Sequence, residues 1–259
     1  MNGFRVLLGK ELLEQIRTYR LPVVAIVFVL FGISSPVLAR FTKELLNLLG
    51  EQAMVGIQIV LPELVAADAV YQLLKNLSQF GILIAILLAM GTVSSEKERG
   101  TAAFVLTKPA SRLSFLLAKL VAIGLTLAVA VAAACAVGAL YTALLFEGSS
   151  LPLLGFVEMA FLLWLAILAY AALTFLGSTV TRSSAGGAGF GFLALIVTGI
   201  IGALPTVGAY MPTSLLAPAA NLAVGAPAGV DLAGPVIACA LFIILPFALA
   251  WLSFRRQEL

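Results

Sequence analysis

Residues 20–40 read RLPVVAIVFVLFGISSPVLAR: nineteen uncharged residues, 21–39, closed off by Arg20 and Arg40. A helix rises about 1.5 Å per residue, so a stretch of this length covers most of the ~30 Å of hydrocarbon in a bilayer. Five further runs have the same character: residues 77–93, 120–146, 153–177, 185–204 and 235–254, the last with Pro246 as an expected kink. The whole composition agrees. Of 259 residues, 62% are hydrophobic and 10% charged, against about 45–50% and about 25% in a soluble domain. This excludes a cytosolic enzyme or a disordered chain, and a net charge of +3 is too thinly spread for nucleic-acid binding. The expected fold is an all-α integral membrane protein with six transmembrane helices.

Charge sets the expected orientation. With the N-terminus inside, twelve of the fifteen Lys and Arg residues fall on the cytoplasmic side, leaving Arg40, Lys43 and Lys75 outside. Both termini are then cytoplasmic. Residues 1–20 precede the first span as an amphipathic helix. Phe4, Leu8, Leu12, Ile16 and Tyr19 fall on one face, with Lys10, Glu14, Arg17 and Thr18 on the other. A plain extension of the first span is the alternative. Residues 40–76 form an outer loop with short surface helices. Residues 205–234, broken by Pro212, Pro218, Pro227, Gly225 and Gly229, suit re-entrant or interfacial helices on the outer face. The whole chain, 1–259, reads as a single transmembrane domain.

Chemistry on the chain itself is sparse. There is no histidine, which removes Ser-His and Cys-His dyads and most zinc sites. Cys135 and Cys239 lie in apolar runs and read as small buried residues. The only Gly-Lys pair, Gly9-Lys10, is followed by Glu11 rather than Ser or Thr, so no phosphate-binding loop is present. No catalytic, metal-ligating or cofactor-binding residue is expected, and the chain is not expected to be an enzyme. Glu158, about two turns into the fourth span, is a candidate for a transport pathway, or a structural group reaching a neighbour or the interface. Gly187 and Gly191 make a GxxxG step. It serves either an interface between two subunits or packing within one.

The inner loop, residues 94–112, carries the functional signal. It runs Ser94, Ser95, Glu96, Lys97, Glu98, Arg99, Gly100, Thr101, Ala102, Ala103, Phe104, Val105, Leu106, Thr107, Lys108, Pro109, Ala110, Ser111, Arg112. Gly100 is placed to end one helix in the left-handed conformation, Thr101 to cap a short helix over 102–107, Pro109 to stop it, and Ser111 to cap the next. The middle of that short helix is too apolar to stand free in water, so it presses on the bundle, on lipid, or into a groove on a partner.

The run Glu96-Lys97-Glu98-Arg99-Gly100-Thr101, followed by Leu106-Thr107-Lys108-Pro109-Ala110-Ser111-Arg112, resembles the corresponding loop of ABC-2 type permeases, the membrane subunits of ATP-binding-cassette exporters. Ala110 is the one mild departure, at a position that is often bulkier. The resemblance implies a dimer of permease subunits, as a homodimer or heterodimer, in a prokaryotic inner membrane. It implies two separate ATPase subunits that hold ATP-Mg, and alternating access driven through a coupling helix at 102–107. It also makes Glu96, Glu98 and Arg99 candidates for polar contacts with the ATPase or the N-terminal helix. The competing classes are an intramembrane enzyme, a secondary transporter, and a membrane scaffold or sensor. No internal repeat supports the secondary transporter.

Overall fold

The structure, a computed structural model, describes residues 2–53, 65–100, 111–146 and 152–257. Nine α-helices run in chain order among them: α1 (Asn2–Arg17), α2 (Arg20–Ala53), α3 (Ala66–Ala89), α4 (Ser94–Glu98), α5 (Arg112–Leu145), α6 (Leu153–Val180), α7 (Ser184–Gly202), α8 (Leu216–Ala223) and α9 (Ala233–Arg255). Six segments, those of α2, α3 with α4, α5, α6, α7 and α9, are long and apolar enough to cross a membrane. The fold is all-helical, as the composition and the six runs predict.

Helix α6 is the axis of the bundle. Met159, Leu163, Ala169, Tyr170 and Phe175 are all buried, and α3, α5, α7, α8 and α9 pack against it. Its own sequence explains this position, since it is apolar on every face and Glu158 is its one charged residue. The outer faces of α7 and α9 stay exposed at Leu193, Ile196, Ile200, Ile237, Ile244 and Leu249, which suits lipid contact. Lipid is as apolar as these side chains, so close packing and polar links must hold the helices together. The polar links are present. Trp164 Nε1 donates to the Gly124 carbonyl at 2.9 Å, joining α6 to α5. The Tyr170 and Thr198 hydroxyls meet at 3.0 Å, joining α6 to α7. Asn76 Nδ2 donates to Ser35 Oγ at 2.9 Å, joining α3 to α2.

The helices outrun the apolar windows. α2 continues through Arg40 to Ala53, and α3 begins at Ala66 rather than Leu77, so much of the expected 40–76 loop is helix continuous with the spans. Hydropathy marks where a helix leaves hydrocarbon, whereas a helix ends only where its backbone bonding stops. Nothing between Arg40 and Ala53 breaks it apart from Gly50. At the N-terminus of α3, Asp68 accepts a 2.9 Å bond from the Val65 amide.

Between α7 and α9 the chain does not cross again. It makes two 3-10 turns, Gly208–Tyr210 and Pro212–Leu215, and then α8. Leu215, Ala219, Ala220 and Ala223 are buried against the bundle, and Tyr71 of α3 donates to Asn221 Oδ1 at 2.7 Å. At Gly155 the first turn of α6 touches α8 so closely that a Cβ would stand 2.0 Å from the Leu222 carbonyl oxygen. This is the broken, protein-packed segment expected for 205–234, at the end of the bundle where α3 and α6 begin.

Candidate functional site

The opposite end of the bundle gathers α1, α4, the start of α5 and the C-terminus. Arg112 Nη1 donates to the carbonyls of Phe254, Arg255 and Gln257 at 2.9–3.1 Å, capping the last turn of α9. Lys97 Nζ donates to the Thr179 carbonyl at 2.6 Å and to Gln257 Oε1 at 3.3 Å. Ser178 Oγ accepts from the amides of Val93 and Ser94, each at 3.1 Å, and the Ser95 and Ser184 hydroxyls meet at 3.0 Å. Every side chain in this set ties the Ser94–Gly100 segment or its exit at Arg112 to the ends of α6, α7 or α9.

At the centre is a buried ion cluster. Lys119, one turn into the apolar part of α5, is only 2% exposed, and Glu11 of α1 only 5%. Lys119 Nζ lies 3.0 and 3.1 Å from the two Glu11 carboxylate oxygens and 2.7 Å from Glu96 Oε1. Lys10 Nζ adds contacts to Glu11, Glu14 and Glu96 at 3.0, 3.3 and 3.4 Å. Burial works against the Lys10 ammonium, but the carboxylates of Glu11, Glu96 and Glu14 outweigh it and raise its pKa above the ordinary lysine value. Carboxylate oxygens of Glu11, Glu14 and Glu96 also lie within 4.8 Å of one another. Lys10 and Lys119 supply two positive charges against this trio. The Lys119 ammonium also stands 5.0 Å from the Phe115 ring centre.

This cluster revises the reading of α1. The face turned to the bundle is centred on buried Glu11 and Gln15, while Ile16 and Tyr19 are exposed. Pairing with a buried lysine outweighs the apolar stripe. α1 is also not a straight extension of the first span. The chain turns at Tyr19, whose φ of 59° is left-handed.

Of the inner-loop residues, Glu96, Lys97, Glu98, Arg99 and Gly100 are described. Glu96 is in the ion cluster and Lys97 in the α6–C-terminus link. Glu98 and Arg99 are exposed, and Gly100 is left-handed with φ 69°. Ser111 caps α5 by accepting from the Ser114 amide at 3.0 Å. Thr101, Ala102, Ala103, Phe104, Val105, Leu106 and Thr107, the expected coupling helix, lie outside the described residues. Gly187 and Gly191 pack within the chain: a Cβ on Gly187 would stand 2.3 Å from the Met90 carbonyl oxygen, and one on Gly191 would stand 2.4 Å from Thr174 Oγ1. Glu158 is half-buried near the start of α6, far from the cluster. Cys135 and Cys239 are buried free thiols.

Glu11, Lys119 and Gln15 are the site residues that the sequence reading missed. The available signal was a cation at the entrance of an apolar run and a carboxylate between Leu8 and Leu12, each costly to bury unless paired.

Six apolar helices, with α6 as the buried axis and charge concentrated at one end, define a multi-pass α-helical membrane protein. A family model described as "Protein of unknown function (DUF2705)" matches residues 60–259, and the chain belongs to that family. It is 24% identical over 198 residues to an uncharacterized transmembrane protein, YxlG, of Bacillus subtilis (strain 168), covering 76% of each chain. It is 38% identical over 119 residues to the probable ABC transporter permease protein NosY of Stutzerimonas stutzeri, covering 44% of this chain and 43% of that protein. The chain thus spans less than half of the permease it matches.

Proposed function

We propose that this chain is the membrane subunit of an ABC-2 type exporter, driven by two separate ATP-binding-cassette ATPase subunits and paired with a second permease subunit in a prokaryotic inner membrane. The carrying observation is the Glu96–Lys119–Glu11 cluster. It locks the entrance of the 94–112 loop to both α1 and α5. The motif resemblance of that loop and the similarity to a probable ABC transporter permease support the same reading.

In this reading the charged end of the bundle is cytoplasmic. The apolar segment 102–107 sits in a groove on the ATPase, with Glu98 and Arg99 making polar contacts at its rim. Closure of the ATPases around ATP displaces that segment. The displacement reaches α5 and α1 through Glu96 and Lys119, because any shift of α4 that breaks the cluster leaves buried charge unpaired. The two-subunit membrane domain then alternates between inward-facing and outward-facing states. ATP-Mg binds the partner ATPases, and this chain contributes coupling rather than catalysis.

The test is capture of a co-expressed ATP-binding-cassette ATPase of the same genome by the purified membrane subunit. Phe104→Asp is expected to abolish capture while membrane insertion and monodispersity are retained. Normal capture by that variant would remove 102–107 from the docking role.

A further inference from the structure

Beside the ion cluster lies a cavity of about 370 Å³ lined by Lys10, Glu11, Glu14, Gln15, Arg20, Arg99 and Lys119 among others. A second cavity of about 500 Å³ adjoins it and shares Arg20, Gly91 and Ser95 with it. The second is apolar for most of its length. Val23, Val24 and Val27 of α2 face Ile84, Leu87 and Leu88 of α3 there, with Tyr19 at the corner. The two meet at Arg20, Gly91 and Ser95 as a charged head and an apolar tail, and the tail runs along two membrane-crossing helices.

The head is not self-sufficient. Among the described residues, four cations, Lys10, Arg20, Arg99 and Lys119, face three carboxylates, Glu11, Glu14 and Glu96, one positive charge in excess. The lysines are engaged by the carboxylates. Among the described residues, the Arg20 and Arg99 guanidiniums have no ion-pair partner. Gln15 is only 4% exposed, and its side-chain oxygen accepts no hydrogen bond. The head thus offers two free guanidiniums for a monoanion and a buried acceptor for a hydroxyl donor.

We propose that this groove holds a resident anionic glycerophospholipid of the phosphatidylglycerol type. Its phosphodiester lies between Arg20 and Arg99, where guanidiniums suit phosphate oxygens. A headgroup hydroxyl donates to Gln15 Oε1, and an acyl chain fills the Val23–Val27 and Ile84–Leu88 groove. A single phosphodiester charge matches the single excess cation. The lipid is a fixed component that braces the α1–α2 corner at Tyr19, and its binding does not depend on ATP or on the exporter reading.

The full chain is incorporated into nanodiscs of equal phosphatidylglycerol and phosphatidylcholine, released, and weighed by native mass spectrometry. The expected result is one retained phosphatidylglycerol per chain, at least about tenfold preferred over phosphatidylcholine. Arg20→Gln with Arg99→Gln should reduce that preference to near parity without abolishing lipid retention, whereas Val27→Trp, which fills the tail groove, should lower retention of both lipids. Thermal unfolding of each variant reports that it is folded. Equal retention of the two lipids by the unaltered chain would overturn the proposal. So would a preference unchanged in the double variant, or phosphatidylglycerol displaced by millimolar inorganic phosphate, which would make this a site for free anions.

Discussion

Lys119 shows how much a single residue holds at the charged end. Its ammonium touches both Glu11 oxygens and Glu96, and removing it leaves buried Glu11 with only the half-exposed Lys10 as an ion-pair partner among the described residues. Lys119→Met should therefore destabilise the protein by about 3–5 kcal/mol, since truncating one partner of a buried ion pair leaves uncompensated charge. Lys119→Arg, which keeps the charge, should cost less. Thermal unfolding in detergent measures both, and an unchanged midpoint for Lys119→Met would mean the cluster is solvated. The glycines of α7 give a sharper pair. Gly187→Ala drives a Cβ to 2.3 Å from the Met90 carbonyl oxygen, whereas Gly189→Ala meets nothing within 4 Å. The first should cost about 1–3 kcal/mol through overpacking. The second should be neutral or stabilising by up to about 1 kcal/mol, because alanine is the better helix former. Equal effects would contradict the α7 packing. Neither result could be anticipated from the GxxxG spacing, which is the same for packing within a chain and between chains.

At the scale of the element, the spans were legible because hydrocarbon imposes a length and a polarity that appear directly in the chain. The extensions of α2 and α3 were hidden for the complementary reason: beyond the lipid, a helix carrying Arg40 or Asp68 looks like a loop to a hydropathy reading. The breaks were legible where backbone chemistry forces them, at left-handed Gly100 and at the Ser111 cap. Tyr19 was not, since nothing in its side chain advertises a positive φ. Gly100→Ala should cost about 1–2 kcal/mol from the left-handed backbone alone, because no atom of the described residues crowds its Cβ position. Unfolding midpoints check this, and a larger loss would mean a contact is being broken as well.

For the whole molecule, one end of the bundle is sewn together by protein-to-protein links of high sequence separation. Lys119 and Glu11 are 108 residues apart, and Lys97 and Gln257 160 apart. Pairings of that kind cannot be read from local patterns, and charged residues 108 apart read individually as solvated. What was legible was the excess of Lys and Arg expected on one side of the membrane, of which these links are one use. Among the described residues, the Ser94–Gly100 segment is fastened to α1, α5, α6, α7 and the C-terminus. Under the proposed function, this rigid base is the lever between the ATPase and the membrane domain.

The most direct test of that claim is ATP turnover by the co-expressed ATPase, measured alone, with this chain in nanodiscs, and with the Lys119→Arg and Phe104→Asp variants. The rate should change when the membrane subunit is added, a change preserved by Lys119→Arg and lost with Phe104→Asp. An ATPase rate indifferent to the presence of the folded membrane subunit would contradict it.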